Sequence, residues 1–200
     1  LNKNANEWFL QIETFDPHEP FFAPERLKEK FKTNYKGPIL DWPRYNRVTE
    51  DQEHIDEIRA NYMALLSLCD ELLGKLLDYF DEHNLWKDTA LIVGTDHGFL
   101  LGEHDWWAKN RMPLYEEISH IPLFFYHPNY SRKAGQRIKS LTQTIDLMPT
   151  FLDLYGAPIP KEVHGHSLVP LLEEDTSLRT AGMFGYWGGG INIVDGKYTY

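Results

Sequence analysis

The chain has 200 residues, enough for one domain or a little more. Its 42% hydrophobic and 25% charged residues are those of a globular chain and exclude global disorder. Twenty Lys and Arg against thirty Asp and Glu give a net charge of −10, which argues against nucleic acid as a partner. No apolar run reaches the ~20 residues that a membrane-spanning helix needs. One cysteine excludes an internal disulfide and any Cys-x-x-Cys site.

In chain order, residues 8–14 are apolar and β-prone and read as a buried strand. Pro17 and Pro20 stop it. Residues 21–47 hold Pro24, Gly37, Pro38 and Pro43 among many charges. They read as a long surface excursion with one short helix near 24–31, the kind of loop that forms a lid or a substrate wall. Thr49 is positioned to cap a helix whose first turn carries Glu50, Asp51 and Glu53. Apolar residues from Ile55 to Phe80 then recur at three- and four-residue steps, one stripe of core packing that includes Cys69. Residues 81–84 end it.

Residues 89–95 form a second expected strand. Strand, long helix, strand is the pattern of a crossover in a parallel sheet. Further strands are expected at 121–126 and 136–143. A short helix at 145–155 should stop at Gly156 and Pro158, and another turn or two follows at 167–172. Gly188-Gly189-Gly190 reads as a joint before a hairpin in which Asp195-Gly196 makes the turn. That hairpin is cut off at Tyr200, and the chain starts at Leu1 with no signal-like segment, so a piece of a longer protein is expected. The class is α/β.

Ligands of open α/β sheets gather beyond the carboxyl ends of the strands. After the strand at 89–95 stands Asp96-His97-Gly98, a carboxylate and an imidazole suited to a divalent cation. Taken alone, these residues are better read as an Asx-type turn with a solvated histidine, and two ligands alone do not make a site. Lys109 follows Trp106 and Trp107 and could be an anion-binding point charge, though taken alone it is better read as a surface lysine whose stem covers Trp107. His18 sits between Pro17 and Pro20, where a stiffened backbone suits a general acid or an anion ligand, though taken alone it is better read as a turn histidine without a role. His104 either caps the next segment or lines the pocket. Arg111 either supplies local positive charge or pairs with Glu116 or Glu117. Trp106, Trp107 and Trp187 are candidates for stacking on sugar rings.

Taken together, these stretches resemble the second half of a sulfatase of the alkaline phosphatase superfamily. The resemblance rests on Asp96-His-Gly-Phe-Leu-Leu-Gly-Glu-His104, Lys109, Tyr115-Glu-Glu117 and Ile121-Pro122-Leu, with Asp16-Pro-His-Glu-Pro-Phe21 similar to the family's earlier His-x-Pro loop. Thr144-Ile-Asp-Leu-Met-Pro-Thr-Phe-Leu-Asp-Leu-Tyr-Gly156 and Gly165-His-Ser-Leu-Val-Pro-Leu-Leu172 follow in the family's order. The resemblance implies an alkaline-phosphatase-like sandwich, partial, with a mainly parallel central sheet and the start of a small antiparallel carboxyl-terminal subdomain. The division would be a catalytic part over 1–180 and the start of the hairpin subdomain over 181–200.

It further implies that Asp96 and His97 are two ligands of one divalent cation, calcium first, with magnesium or manganese as alternatives. Lys109 would touch the sulfate oxygens, and His18 would bind the sulfate or protonate the leaving oxygen. His104, Trp107 and Arg111 would meet the substrate, a sulfated small molecule or glycan. One departure stands out. The family makes its formylglycine from Cys or Ser in Cys/Ser-x-Pro-x-Arg, and neither Cys69 nor any of the six serines has proline two residues later. The formylglycine is therefore expected upstream, and these 200 residues alone are expected to hydrolyse nothing. The alternatives are a phosphodiesterase or phosphonate hydrolase of the same superfamily, or a non-catalytic module that binds sulfated glycans. Family members are often exported.

Overall fold

The computed structural model describes residues 7–111 and 113–200. They fall into two compact units, one of residues up to Arg44 with Thr49–Leu77, the other of Tyr45–Val48 with Asp78–Tyr200. No helix among the described residues is long and apolar enough to cross a membrane.

In the first unit, the excursion carries α1 (Glu25–Lys28) and a 3-10 turn at Glu29–Phe31, where the short helix is expected. Pro24 precedes α1, a position that spares proline's missing N–H. The unit's core joins Phe21, Ala23 and Leu27 to Ile58, Ala64 and Leu65 of α2 (Gln52–Glu82). Fully burying a Leu or Phe side chain stabilises by about 1.5–3 kcal/mol. Phe21 meets Tyr62 edge to face at 5.3 Å. Arg26 grips Glu71 with two hydrogen bonds of 2.6 Å.

The cap of α2 differs from expectation. The Asp51 carboxylate accepts from the His54 backbone N–H at 3.1 Å, so Asp51 does what Thr49 was expected to do. The stripe is only partly covered: Leu65 is fully buried, whereas Leu66 and Leu72 are exposed. The Cys69 thiol is half-buried, and burial pushes its pKa up, the condition of a packing cysteine.

Residues 8–14 form no strand, and Phe9, Leu10 and Ile12 are exposed. A β-prone sequence becomes a strand only when its backbone groups find a ladder, and none of the described residues offers one here.

In the second unit, β1 (Leu91–Gly94) pairs with β4 (Leu123–Tyr126), from Leu91 opposite Tyr126 to Gly94 opposite Leu123. The pairing is antiparallel, so the expected crossover has no parallel ladder among the described residues. Trp86 wedges between Phe80 at 4.7 Å and Tyr126 at 4.8 Å, and the Tyr126 hydroxyl donates to the Trp86 carbonyl. This fixes the end of α2 beside β4. The expected strand at 136–143 is likewise absent.

β2 (Leu100–Leu101) and β3 (Trp107–Ala108) form a small antiparallel pair closed by a tight loop. Gly102, His104, Asp105 and Ala108 all have positive φ there. For the three non-glycines this is an uncommon backbone that surrounding contacts must hold. α3 (Glu116–Ser119) follows.

Further on, α4 (Leu147–Leu154) confirms the expected helix. Gly156 adopts φ 63°, and its N–H and that of Ala157 bond the carbonyls of Asp153 and Leu152, which closes the helix end with a Schellman turn. Asp146 is fully buried below it and accepts from both guanidinium nitrogens of Arg179, at 2.6 and 2.5 Å. The Gln143 and His166 amides also donate to it. Burial alone would raise the Asp146 pKa; Arg179 and the two amides outweigh it and hold the group below the ordinary carboxylate range. α5 (Val169–Glu173) comes next. β5 (Gly182–Gly185) and β6 (Ile191–Val194) form a hairpin around the glycine joint, and Val194 bridges to Thr199 past the Asp195 turn.

Candidate active site

Asp96 and His97 leave the end of β1 and are both exposed. The Asp96 carboxylate accepts from the His97 backbone N–H at 2.9 Å, which folds the turn back on itself. The His97 Nδ1 lies 2.9 Å from the Gly98 carbonyl, an acceptor, so Nδ1 is the donating nitrogen and Nε2 is the one left for another partner. That Nε2 stands 3.4 Å from Asp96 Oδ2. Two donor atoms so spaced fit neighbouring positions around one divalent cation, whose bonds run about 2.0–2.6 Å. No cluster of three or more His, Cys, Asp or Glu side chains is present among the described residues, so this pair fits a metal as part of a donor set.

Gly98 makes the turn possible. Its N–H donates to the Ile118 carbonyl at 2.7 Å, and a Cβ there would overlap the Glu117 carbonyl. The backbone after the Asp-His pair is thus pressed directly against α3.

Lys109 is half-buried, with Nζ 5.8 Å from the centre of the Phe99 ring. Phe99 is two residues past His97, so the lysine folds back to the neighbourhood of the Asp-His turn. A partly desolvated ammonium beside a ring face is a stronger point charge than one in bulk water.

His104 is taken up by Glu117, with Nε2 at 3.0 and 3.1 Å from its two oxygens, and stacks on Tyr115 at 3.8 Å. It holds the loop to α3. Glu116 lies 3.6 Å from His120. Neither acid pairs with Arg111, which is exposed.

Trp107 is fully buried, as is Ala108 beside it, and gives its surface to the core. The indole available at the surface is its neighbour Trp106, which lines an open pocket with Tyr45, Asn46, Asn110, Arg111 and Tyr186. Trp106 and Arg111 are candidates from the sequence; Tyr45, Asn46, Asn110 and Tyr186 are not. Tyr45 and Asn46 arrive from the end of the excursion, and Tyr186 follows β5, and no local pattern links segments so far apart in the chain.

His18 belongs to the first unit. Its Nδ1 lies 2.7 Å from the Glu19 carbonyl and 3.3 Å from the fully buried Glu19 carboxylate, and its ring packs on Phe15 at 4.4 Å. With Nδ1 donating inward, Nε2 is the atom left to meet a ligand.

The Sulfatase family model matches residues 1–157. The chain belongs to the sulfatase family. An N-acetylglucosamine-6-O-sulfatase from Bacteroides thetaiotaomicron is 33% identical over 151 residues, covering 76% of this chain and 25% of that protein. The multifunctional alkaline phosphatase superfamily protein PehA from Trinickia caryophylli is 36% identical over 200 residues, covering 86% of this chain and 38% of that protein. A solved structure described as bound to its substrate D-glucosamine-2-N,6-O-disulfate matches with a TM-score of 0.58 and 28% identity, over 73% of this chain and 31% of that one. The chain therefore carries part of the α/β fold of the alkaline phosphatase superfamily. It spans about a quarter to two-fifths of the length of these sulfatase-family relatives.

Proposed function

We propose that the whole protein hydrolyses sulfate esters, with a sugar sulfate as substrate, and that Asp96, His97, Lys109 and His18 serve the reaction. The observation that carries this reading is the return of Lys109 to Phe99, beside the Asp-His turn. The similarity to an N-acetylglucosamine-6-O-sulfatase supports the substrate class.

Cleaving a sulfate ester builds negative charge on the sulfuryl oxygens and on the departing oxygen. Lys109 offsets the first as a point charge, and its partial burial reduces the screening by water. His18 is the proposed acid for the departing oxygen: Nε2 would carry the proton, and the inward Nδ1 bond fixes the ring's direction. Asp96 and His97 would hold the divalent cation through Oδ2 and Nε2, where its Lewis acidity adds to the charge stabilisation. The family's nucleophile does not fit Cys69, which lies half-buried on α2 and outside any Cys-x-Pro-x-Arg motif. The reading therefore concerns the whole protein, and these 200 residues alone are expected to be inactive.

The similarity to PehA favours a second reading, in which a phosphate or phosphonate ester takes the same groups. Turnover of paired sulfate, phosphate and phosphonate esters by the full-length protein separates them. The first reading expects the sulfate ester to have the highest kcat/KM; a phosphonate ester preferred by tenfold or more would replace it with the second.

A further inference from the structure

The short helix α3 is tied to two segments that carry proposed site residues. On one side the Gly98 N–H donates to the Ile118 carbonyl at 2.7 Å, which braces the Asp96-His97 turn against the helix. On the other side Glu117 holds His104, whose Nε2 lies 3.0 and 3.1 Å from the two carboxylate oxygens. His104 stands in the loop between β2 and β3, and Ala108 at the end of β3 leads directly into Lys109. All of these residues belong to the second unit.

The loop needs holding. His104, Asp105 and Ala108 have φ of 56°, 60° and 74°. Left-handed backbone at non-glycine residues persists only where neighbouring contacts impose it. Backbone bonds supply part of that support: the Gly102 N–H donates to the Trp106 carbonyl at 3.0 Å and the Val48 N–H to the Asp105 carbonyl at 2.9 Å. His104 supplies the tie to α3. Its ring lies flat on Tyr115, with 3.8 Å between centres and 7° between planes, and Tyr115 packs in turn against the buried Leu100 and Ile118. With Nε2 engaged by Glu117 and one ring face covered, His104 is built to hold rather than to meet a substrate.

We propose that His104 and Glu117 form a positioning clamp. It fastens the loop that delivers Lys109 to the helix that braces the Asp96-His97 turn, and so sets the spacing of the ammonium from that turn. The inference rests on the roles read above for Lys109 and the Asp-His pair, and it adds what keeps them in register. The two clamp side chains are 40% and 41% exposed, so their pair contributes little to global stability. A misplacement of about 1 Å in a charged group can nevertheless cost up to about 10²-fold in rate. The clamp should therefore be felt in turnover and not in the unfolding midpoint.

The test is a variant cycle in the full-length protein. Glu117→Ala removes the partner without touching the loop's backbone. His104→Asn keeps a residue that tolerates left-handed backbone but is too short to reach Glu117. Each should lower kcat for a sulfate ester about tenfold, leave KM within about twofold and leave the denaturant midpoint unchanged. The double variant should lose no more than either single one, because both changes break one contact. In a Lys109→Ala background, Glu117→Ala should cost less than about twofold, since no ammonium remains to be placed. A merely structural pair would cost the same factor with or without Lys109, and that result overturns the inference, as does kcat within about twofold of wild type in both single variants. Amide hydrogen exchange at Gly102 and Trp106 reads the clamp without any chemistry, and Glu117→Ala should speed it about fivefold. Unchanged exchange overturns the clamp whatever the protein turns over. Faster exchange in a protein that turns over no sulfate ester would uphold the clamp and refute the catalytic reading.

Discussion

Gly98 shows how much one missing side chain decides. The Asp-His turn lies so close to α3 that a Cβ at 98 would collide with backbone, which cannot move aside as a side-chain tip can. Gly98→Ala should therefore lower stability by about 1–3 kcal/mol, read as a reduced midpoint in denaturant titration; an unchanged midpoint would mean the turn relaxes freely. Asp146 is the second such residue. Its buried pair with Arg179 cannot be broken without leaving a guanidinium uncompensated. Asp146→Asn should cost about 3–5 kcal/mol, and Arg179→Met, which leaves the carboxylate, a similar amount. The pH dependence has a definite sign. The folded-state pKa of Asp146 lies below the unfolded value of about 3.9, so its contribution is complete above that pH and disappears as pH falls through the folded value. Thermal melting from pH 5 downward should show a steeper loss in the wild type than in Asp146→Asn.

Among the elements, those with their own local signals were legible. α2 has a long apolar period and an acidic first turn, and α4 has Gly156 just past its end; both form where periodicity and capping require. The cap residue was missed by two positions because Thr49 and Asp51 are both good caps, and only the reach of the Asp51 carboxylate to the His54 amide distinguishes them. Asp51→Ala should destabilise by about 1 kcal/mol and Thr49→Ala by much less, measured by denaturant unfolding; the reverse order would restore Thr49 as the cap. Strands were less legible. Residues 8–14 and 136–143 have β-prone composition, but strand formation depends on a neighbour that composition does not name. The same dependence made β1 and β4 recognisable as strands while leaving their antiparallel pairing unread.

For the molecule as a whole, ordered motifs at coherent spacing made the family legible where each motif alone did not. The residues proposed to carry the chemistry, Asp96, His97, Lys109 and His18, stand out in the sequence because they come after a β-prone stretch or in a proline-stiffened loop. Tyr45, Asn46 and Tyr186 were not, since only the folded chain brings three distant segments to one pocket. The net charge of −10 opposes an anionic substrate at long range. On the proposed reading, Lys109, Arg111 and a cation held by Asp96 and His97 would act at short range, where screening is weakest. The most direct test of the account is the sulfate ester turnover of the full-length protein with Lys109→Ala and His18→Ala. Each variant is expected to lose about two to four orders of magnitude in kcat while keeping the wild-type melting temperature. Turnover within twofold of wild type in both would contradict the assignment.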